Sequence, residues 1–258
     1  VETIKTIQAL DRAIAILNCF SNENFSLTLN EISEMTNLNI STCRGLVKTL
    51  YFHGLLQYNE DNKKYKLGLY FLHKSSILLS KNSLYNYTIQ KSVKNISDKY
   101  NLTSSFQLIE NLNCYTIYSS SNNSKGYEIQ VQENTFLPLL VTASGKLTLA
   151  YNASEEYLNN LSNNFFNKYT DKTIVSLDDL KKELKKIKSL KYSIEDQEYQ
   201  LGVRGIAVPI FSKDNTKLLA TISVTSFSEY LEKIKNEVIE DLVESAEMIK
   251  NSLVNNSI

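Results

Sequence analysis

Apolar positions change period several times along this 258-residue chain, and each change marks an element. Thr6–Phe20 carries Ile7, Leu10, Ile14 and Leu17 at helical spacing, which predicts a helix packing that face under the next two. Asn30–His53 predicts two more. A short helix about Glu31–Thr36 turns Ile32 and Met35 inward. Asn37-Leu38-Asn39 then reverses the chain, asparagine tolerating left-handed backbone angles. Ser41 or Thr42 caps a second helix with Leu46, Val47 and Leu50 inward, and Gly54 follows its end. Leu55–Leu67 then predicts two short strands around Glu60-Asp61-Asn62-Lys63. A hairpin directly after such a helix pair makes a winged helix-turn-helix. Gly68–Leu79 returns to helical spacing as a connecting helix.

The remainder reads as a separate mixed domain. Helices are expected at Leu84–Tyr100 (Tyr87, Val93 and Ile96 inward), Thr142–Asn152, Glu155–Leu161 and Asp178–Leu190, and one long helix at about Ser228–Leu253. Strands are expected at Thr103–Ile109, Cys114–Ser119, Glu128–Val131, Gly205–Ser212 and Leu218–Thr225. That order predicts an α+β fold, one antiparallel sheet with helices against it. The expected division is 1–75, the helix-turn-helix with the start of the linker helix, and 76–258.

With Leu46, Val47 and Leu50 inward, the second helix presents Ser41, Thr42, Arg44, Lys48 and Thr49 outward. This set has two cations and no acid, and a helix of that polarity fits the major groove of duplex DNA. Lys63 and Lys64 lie at the hairpin tip, where a wing meets the sugar-phosphate backbone. A solvated helix face and a surface turn would look alike in isolation. Charge sharpens the picture locally. The whole chain balances 28 Lys and Arg against 28 Asp and Glu, so no global field draws it to nucleic acid or membrane. Yet no acid falls between Glu34 and Glu60. Arginine occurs only at 12, 44 and 204, and one of these planar forks sits on the groove-reading face. Arg12 either pairs within the protein or reaches phosphate.

Other chemistries find little support. Cys19, Cys43 and Cys114 have no CxxC spacing, and His53 and His73 are too few for a histidine metal site. Cys19 reads as core, Cys114 as a strand residue and Cys43 as the more exposed thiol. No metal, cofactor or catalytic residue is assigned. Ser144-Gly145-Lys146 is similar to a phosphate loop, but the earlier glycine is missing and Leu147 stands where Ser or Thr is required. Tyrosines such as Tyr85, Tyr87, Tyr115 and Tyr118 read as core or interface. No leader or long apolar run is visible, so a cytoplasmic protein with no membrane partner is expected.

Three segments in order resemble the IclR family of bacterial transcription regulators. The first is LDRAIAIL with SLTLNEISEMTNLNISTCRGLVKTLYFHGLL and YKLG at 65–68. The second is LPLLVTASGKLTLA at 137–150, and the third SIEDQEYQLGVRGIAVPIF at 193–211 with LLATISVTSF at 218–227. The resemblance implies a linker helix and a GAF-like effector-binding domain after the winged helix-turn-helix. It also implies homodimers, often homotetramers, that bind double-stranded operator DNA and respond to a small organic acid or aromatic metabolite.

Carried over by position, the effector site comprises Ala143, Ser144, Gly145, Glu195, Val203, Gly205, Ser223 and Thr225. The helix start at 143–145 offers amides and a dipole suited to a carboxylate, and Ser223 and Thr225 share one strand face. Two positions depart from the family pattern. Glu195 replaces the frequent Asp, and Gly205 stands where some members carry a side chain. The resulting expectation is a ligand-responsive DNA-binding regulator, often a repressor, and not an enzyme. The alternatives are an interaction module whose degenerate helix-turn-helix serves dimerisation, or an enzyme using Glu195 as general base.

Overall fold

The computed structural model describes residues 6–81, 87–122, 129–161 and 165–255, with side chains described outside 78–81 and 253–255. The chain divides into two compact units, Val1–Asn82 and Ser83–Ile258.

The first unit holds α1 (Gln8–Asn18), β1 (Leu27–Thr28), α2 (Leu29–Thr36), α3 (Ile40–Phe52), β2 (Leu56–Asn59), β3 (Lys64–Leu67) and α4 (Tyr70–Lys81). A reciprocal capping box starts α2: the Thr28 hydroxyl accepts from the Glu31 amide while the Glu31 carboxylate accepts from the Thr28 amide. Asn37 ends α2 at φ 52°, and Gly54 follows α3 at φ 74°, both in the left-handed region. The cap of α3 is Asn39, not Ser41 or Thr42, because its side-chain oxygen accepts from the Thr42 amide at 2.8 Å. The three short strands order β1-β3-β2, all antiparallel.

The inward face of α1 differs from the expected one. Ile16 and Cys19 are buried with part of Leu17, whereas Ile7, Leu10 and Ile14 are 65%, 57% and 54% exposed. The helix is apolar over so wide an arc that periodicity alone could not choose its face. Met35 is likewise exposed while Ile32 is buried. Cys43, expected to be exposed, lies at the centre of this core with Val47 and Leu50.

The second unit holds α5 (Tyr87–Tyr100), β4 (Thr103–Glu110), β5 (Asn113–Ser121), β6 (Thr135–Phe136), α6 (Ala143–Asn152), α7 (Glu155–Asn159), α8 (Leu177–Leu190), β7 (Ser193–Asp196), β8 (Val203–Phe211), β9 (Leu218–Phe227), α9 (Ser228–Lys233) and α10 (Lys235–Asn255). Six strands form one antiparallel sheet in the order β6-β5-β4-β9-β8-β7. Alternation sends Phe106, Ile206, Val208, Ile222 and Val224 to one face, under Val93 and Ile96 of α5 and Val238 and Leu242 of α10. The opposite face meets α6, whose Leu147 and Ala150 pack with Leu180, Leu184 and Ile187 of α8.

Four expectations for this unit need correction. Residues 129–131 are not a strand, and the third strand is the two-residue β6 instead; the start of that stretch at Glu128 lies outside the described residues. β7 had no strand signal, because its short run Ser193–Asp196 ends in two acids. The C-terminal helix is broken at Ile234 into α9 and α10. Tyr87 is 74% exposed rather than inward. Tyr85 and the start of the Leu84–Tyr100 helix lie outside the described residues.

Candidate functional site

On α3, burial of Cys43, Val47 and Leu50 leaves Ser41, Arg44, Lys48 and Thr49 exposed and Thr42 half-buried. Ser41 donates to the Asn39 side-chain oxygen at 2.8 Å, and the Thr49 hydroxyl bonds the Gly45 carbonyl at 3.0 Å. Arg44 and Lys48 form no ion pair within this unit among the described residues. Gly45 lies between them with no heavy atom near the place of a Cβ, so backbone is accessible at the middle of the basic face. In the β2–β3 turn Lys63 adopts φ 57° and is exposed, while Lys64 opens β3. Tyr58 and Tyr65 pair directly across the hairpin, their tilted rings 4.7 Å apart between centroids, a cross-strand contact of the kind that stabilises a hairpin.

The second unit holds an open cavity of about 490 Å³ between the polar face of the sheet, the start of α6 and the turn after β7. Ala143, Ser144, Glu195, Val203, Gly205, Ser223 and Thr225 line it. Gly145 does not. It faces the Pro138–Leu139 backbone, where a Cβ would stand 2.6 Å from Pro138 O and Leu139 Cα, so its role is close packing.

Gln107 organises the floor. Its Oε1 accepts from the hydroxyls of Thr221 at 2.9 Å, Ser144 at 3.0 Å and Ser223 at 3.2 Å, and its Nε2 donates to Ser105 Oγ at 2.8 Å. Ser105 and Ser223 share a further hydrogen bond of 3.0 Å. This network buries five polar side chains from three elements and fixes the rotamers that face the cavity. Phe136, Leu137, Val131 and Val203 supply apolar wall. Gln107, Ser105, Thr142 and Tyr199 were not found from sequence; the alternation of Ser105 and Gln107 on one strand face was the available signal.

α6 begins with Thr142 as cap. Its hydroxyl accepts from the Gly145 amide at 3.1 Å and donates to Pro138 O at 2.7 Å. The amides of Ala143 and Ser144 have no acceptor within the helix, a consequence of helix geometry. Opposite them, Glu195 Oε1 accepts from the Glu198 and Tyr199 amides at 2.6 and 3.1 Å. Burial pushes the Glu195 carboxyl up to about 7 against those two hydrogen bonds, with the nearby Glu198 carboxylate adding to the rise. Behind the cavity the fully buried Lys146 ammonium bonds Ile194 O at 2.8 Å and pairs with Glu198. Partial burial favours the neutral form of Asp196, but hydrogen bonds from Arg204, Gln197 and Lys172 hold it down at about 2. Arg204 also pairs with Glu232 and so ties β7 and β8 to α9.

Burial holds the Cys114 thiol near 12, far from a nucleophile. Among the described residues no cluster of His, Cys, Asp and Glu could hold a metal, and no helix is long and apolar enough to cross a membrane.

These features define the class: a two-unit protein with a winged helix-turn-helix and a cavity-bearing antiparallel sheet domain. The family model for the bacterial transcriptional regulator IclR C-terminal domain matches residues 82–251, and that for the IclR helix-turn-helix domain matches 9–60. The chain belongs to the IclR family of DNA-binding transcriptional regulators. It is 25% identical over 228 residues to the HTH-type transcriptional regulator XynR of Escherichia coli K12, covering 86% of this chain and 87% of that one. It is 25% identical over 230 residues to the transcriptional repressor IclR of the same organism, covering 85% and 80%. An IclR regulator from Silicibacter shares the fold at a TM-score of 0.83 and 16% identity, covering 95% and 96%. An IclR homologue from Microbacterium hydrocarbonoxydans, complexed with 4-hydroxybenzoate, does so at 0.74 and 20% identity, covering 96% and 100%.

Proposed function

We propose that the chain binds a specific operator through α3 and the β2–β3 wing, and that a small molecule in the sheet-domain cavity alters that binding. The observation that carries the first part is the acid-free exposed face of Ser41, Arg44, Lys48 and Thr49, displayed on a helix anchored by three buried residues. Arg44 is assigned to the major groove, bidentate to guanine. Ser41 and Thr42 hold phosphates or base edges, Lys48 and Thr49 extend the contact, and Lys63 and Lys64 hold the backbone.

The cavity supports the second part. Its size suits a small metabolite, and its lining combines apolar walls with convergent hydroxyl, amide and carboxyl groups from β4, β7, β9 and α6. An IclR homologue holds 4-hydroxybenzoate, which makes small aromatic or aliphatic acids the first class to examine. A ligand shifts operator affinity only by binding the DNA-competent and incompetent states unequally. A homodimer or homotetramer completes the reading, and the exposed apolar stripe of Ile7, the cap of α1, with Leu10 and Ile14 supports association.

Fluorescence anisotropy on the chain's own upstream intergenic DNA, with an unrelated duplex as competitor and two salt concentrations, tests the operator reading. Specific binding that an added acid changes is the expected result. Purely non-specific binding here and after selection from random DNA would sink it.

A further inference from the structure

Ile40, the first residue of α3, is 40% exposed, and its side chain is not part of the core that Cys43, Val47 and Leu50 build from the same helix. The exposed side chains that follow it on that face, Ser41, Arg44, Lys48 and Thr49, are polar. Polar groups of the first turn are engaged at the cap, the Ser41 hydroxyl and the Thr42 amide both donating to the Asn39 side-chain oxygen at 2.8 Å. Ile40 is therefore the apolar side chain that the start of α3 offers outward. One turn further on, Gly45 has ordinary helical backbone. No heavy atom beyond its chain neighbours and the helix's own backbone lies within 4 Å of the place of a Cβ there. Glycine inside a helix weakens it relative to alanine. Neither a left-handed angle nor a crowding neighbour in this unit requires it.

We propose, on the reading that α3 enters the major groove, that Ile40 reads the C5 methyl of a thymine beside the guanine held by Arg44, and that Gly45 permits the close approach this needs. The major groove tells thymine apart by that methyl, and an apolar side chain is its natural partner. Ile40 and Arg44 are four residues apart and so neighbours on one side of the helix. Helical side chains lean toward the N-terminus, so the arginine fork falls over the turn that carries Ile40, and the two bases read lie close together. Isoleucine reaches far less than arginine. Contact with a methyl needs heavy atoms within about 4.5 Å, which brings the α3 backbone near the base edges. Gly45 lies on the outward face between Ser41 and Lys48, where a side chain would meet the duplex first.

The chemistry of the whole face agrees with this pair of bases. A carboxylate would accept from cytosine N4, and α3 carries none. Arg44 supplies the fork that suits guanine O6 and N7, and Ile40 the apolar contact that suits thymine. Lys48, one turn beyond Arg44, is left for phosphate.

Selection from random duplex DNA with the full chain supplies the probe. The selected duplex is compared with a set in which each thymine in turn is replaced by deoxyuridine, which removes the C5 methyl and nothing else. Fluorescence anisotropy should find a thymine, close to the guanine whose identity ceases to matter in Arg44→Ala, at which uracil weakens wild-type binding roughly fourfold, the worth of one buried methyl. Ile40→Ala should bind the thymine and uracil duplexes equally at that position while keeping the wild-type melting temperature. Gly45→Ala should melt higher than wild type, as an exposed helix glycine replaced by alanine does, yet bind the selected duplex more weakly. A glycine with no part in docking would not give that pairing of signs. Equal wild-type affinity for thymine and uracil at every position, or a uracil effect that survives in Ile40→Ala, would overturn the Ile40 assignment and leave operator binding standing. Gly45→Ala binding as tightly as wild type would overturn the close approach. Failure to select any duplex would overturn the operator reading itself, and this inference with it.

Discussion

Lys146 Nζ and the Glu198 carboxylate form an ion pair in which the lysine is 0% and the glutamate 6% exposed. The pair joins the first turn of α6 to the turn after β7, and so holds together two walls of the cavity from behind. Its second oxygen, Glu198 Oε2, has no partner among the described residues, and burial raises the Glu198 carboxyl above the ordinary range despite the lysine.

Breaking this pair from one side strands a buried charge. Lys146→Met should destabilise the second unit by about 3–5 kcal/mol, measured by urea denaturation followed through tyrosine fluorescence. The double variant Lys146→Met with Glu198→Gln should recover part of the loss. A double variant less stable than the single would remove the ion pair as the cause.

Stability should depend on pH through Glu195. Its carboxyl is raised from 4.5 to about 7 by burial, so the folded chain binds the proton more tightly than the unfolded one. The contribution is fully present below pH 4.5 and is lost as pH rises to about 7, a difference of roughly 3 kcal/mol. Glu195→Gln should therefore be more stable than wild type at pH 8 and gain little at pH 4. Parallel melting-temperature profiles for the two proteins would contradict this.

Removing the fork of Arg44 should cost specific binding. Arg44→Ala is expected to weaken operator affinity by about 1–3 kcal/mol and to relax preference at one base position. Competition with single-base operator variants reads this out, and unchanged selectivity would exclude Arg44 from base readout.

Lys64 should behave differently. Lys64→Ala is expected to weaken binding to all sequences alike and to lower the slope of log affinity against log salt by about one. A change confined to one operator sequence would assign it to the bases instead.

Gly145 is set by packing. Any Cβ there meets backbone atoms of Pro138 and Leu139 at 2.6 Å, and backbone yields less readily than a side chain. Gly145→Ala should destabilise the second unit by about 1–3 kcal/mol, since insertion into a full site forces a backbone shift. Gly205→Ala, with nearest contacts at 3.6 and 3.7 Å, is the control and should melt near wild type.

What the sequence determined by itself was local. Asn37 and Gly54 mark reversals that few residues tolerate, Val47 and Leu50 repeat at helical spacing, and the run from Leu55 to Leu67 alternates around a polar turn. These signals sit within a few residues of what they specify, so helix, turn and wing were legible. Ser223, Thr225 and Glu195 came from the family resemblance, and the structure places them on one cavity. Tertiary structure decided the rest. α1 is apolar on two sides, and only its neighbours select Ile16 and Cys19 over Ile7, Leu10 and Ile14. β7 exists because an edge strand pairs with β8 from Ser193 to Asp196, a long-range choice its own composition does not announce. The floor around Gln107 unites hydroxyls 37, 114 and 116 residues away in sequence. Lys146, read locally as an ordinary residue of a helix start, is buried because Glu198 and Ile194 arrive from another part of the chain to receive its charge.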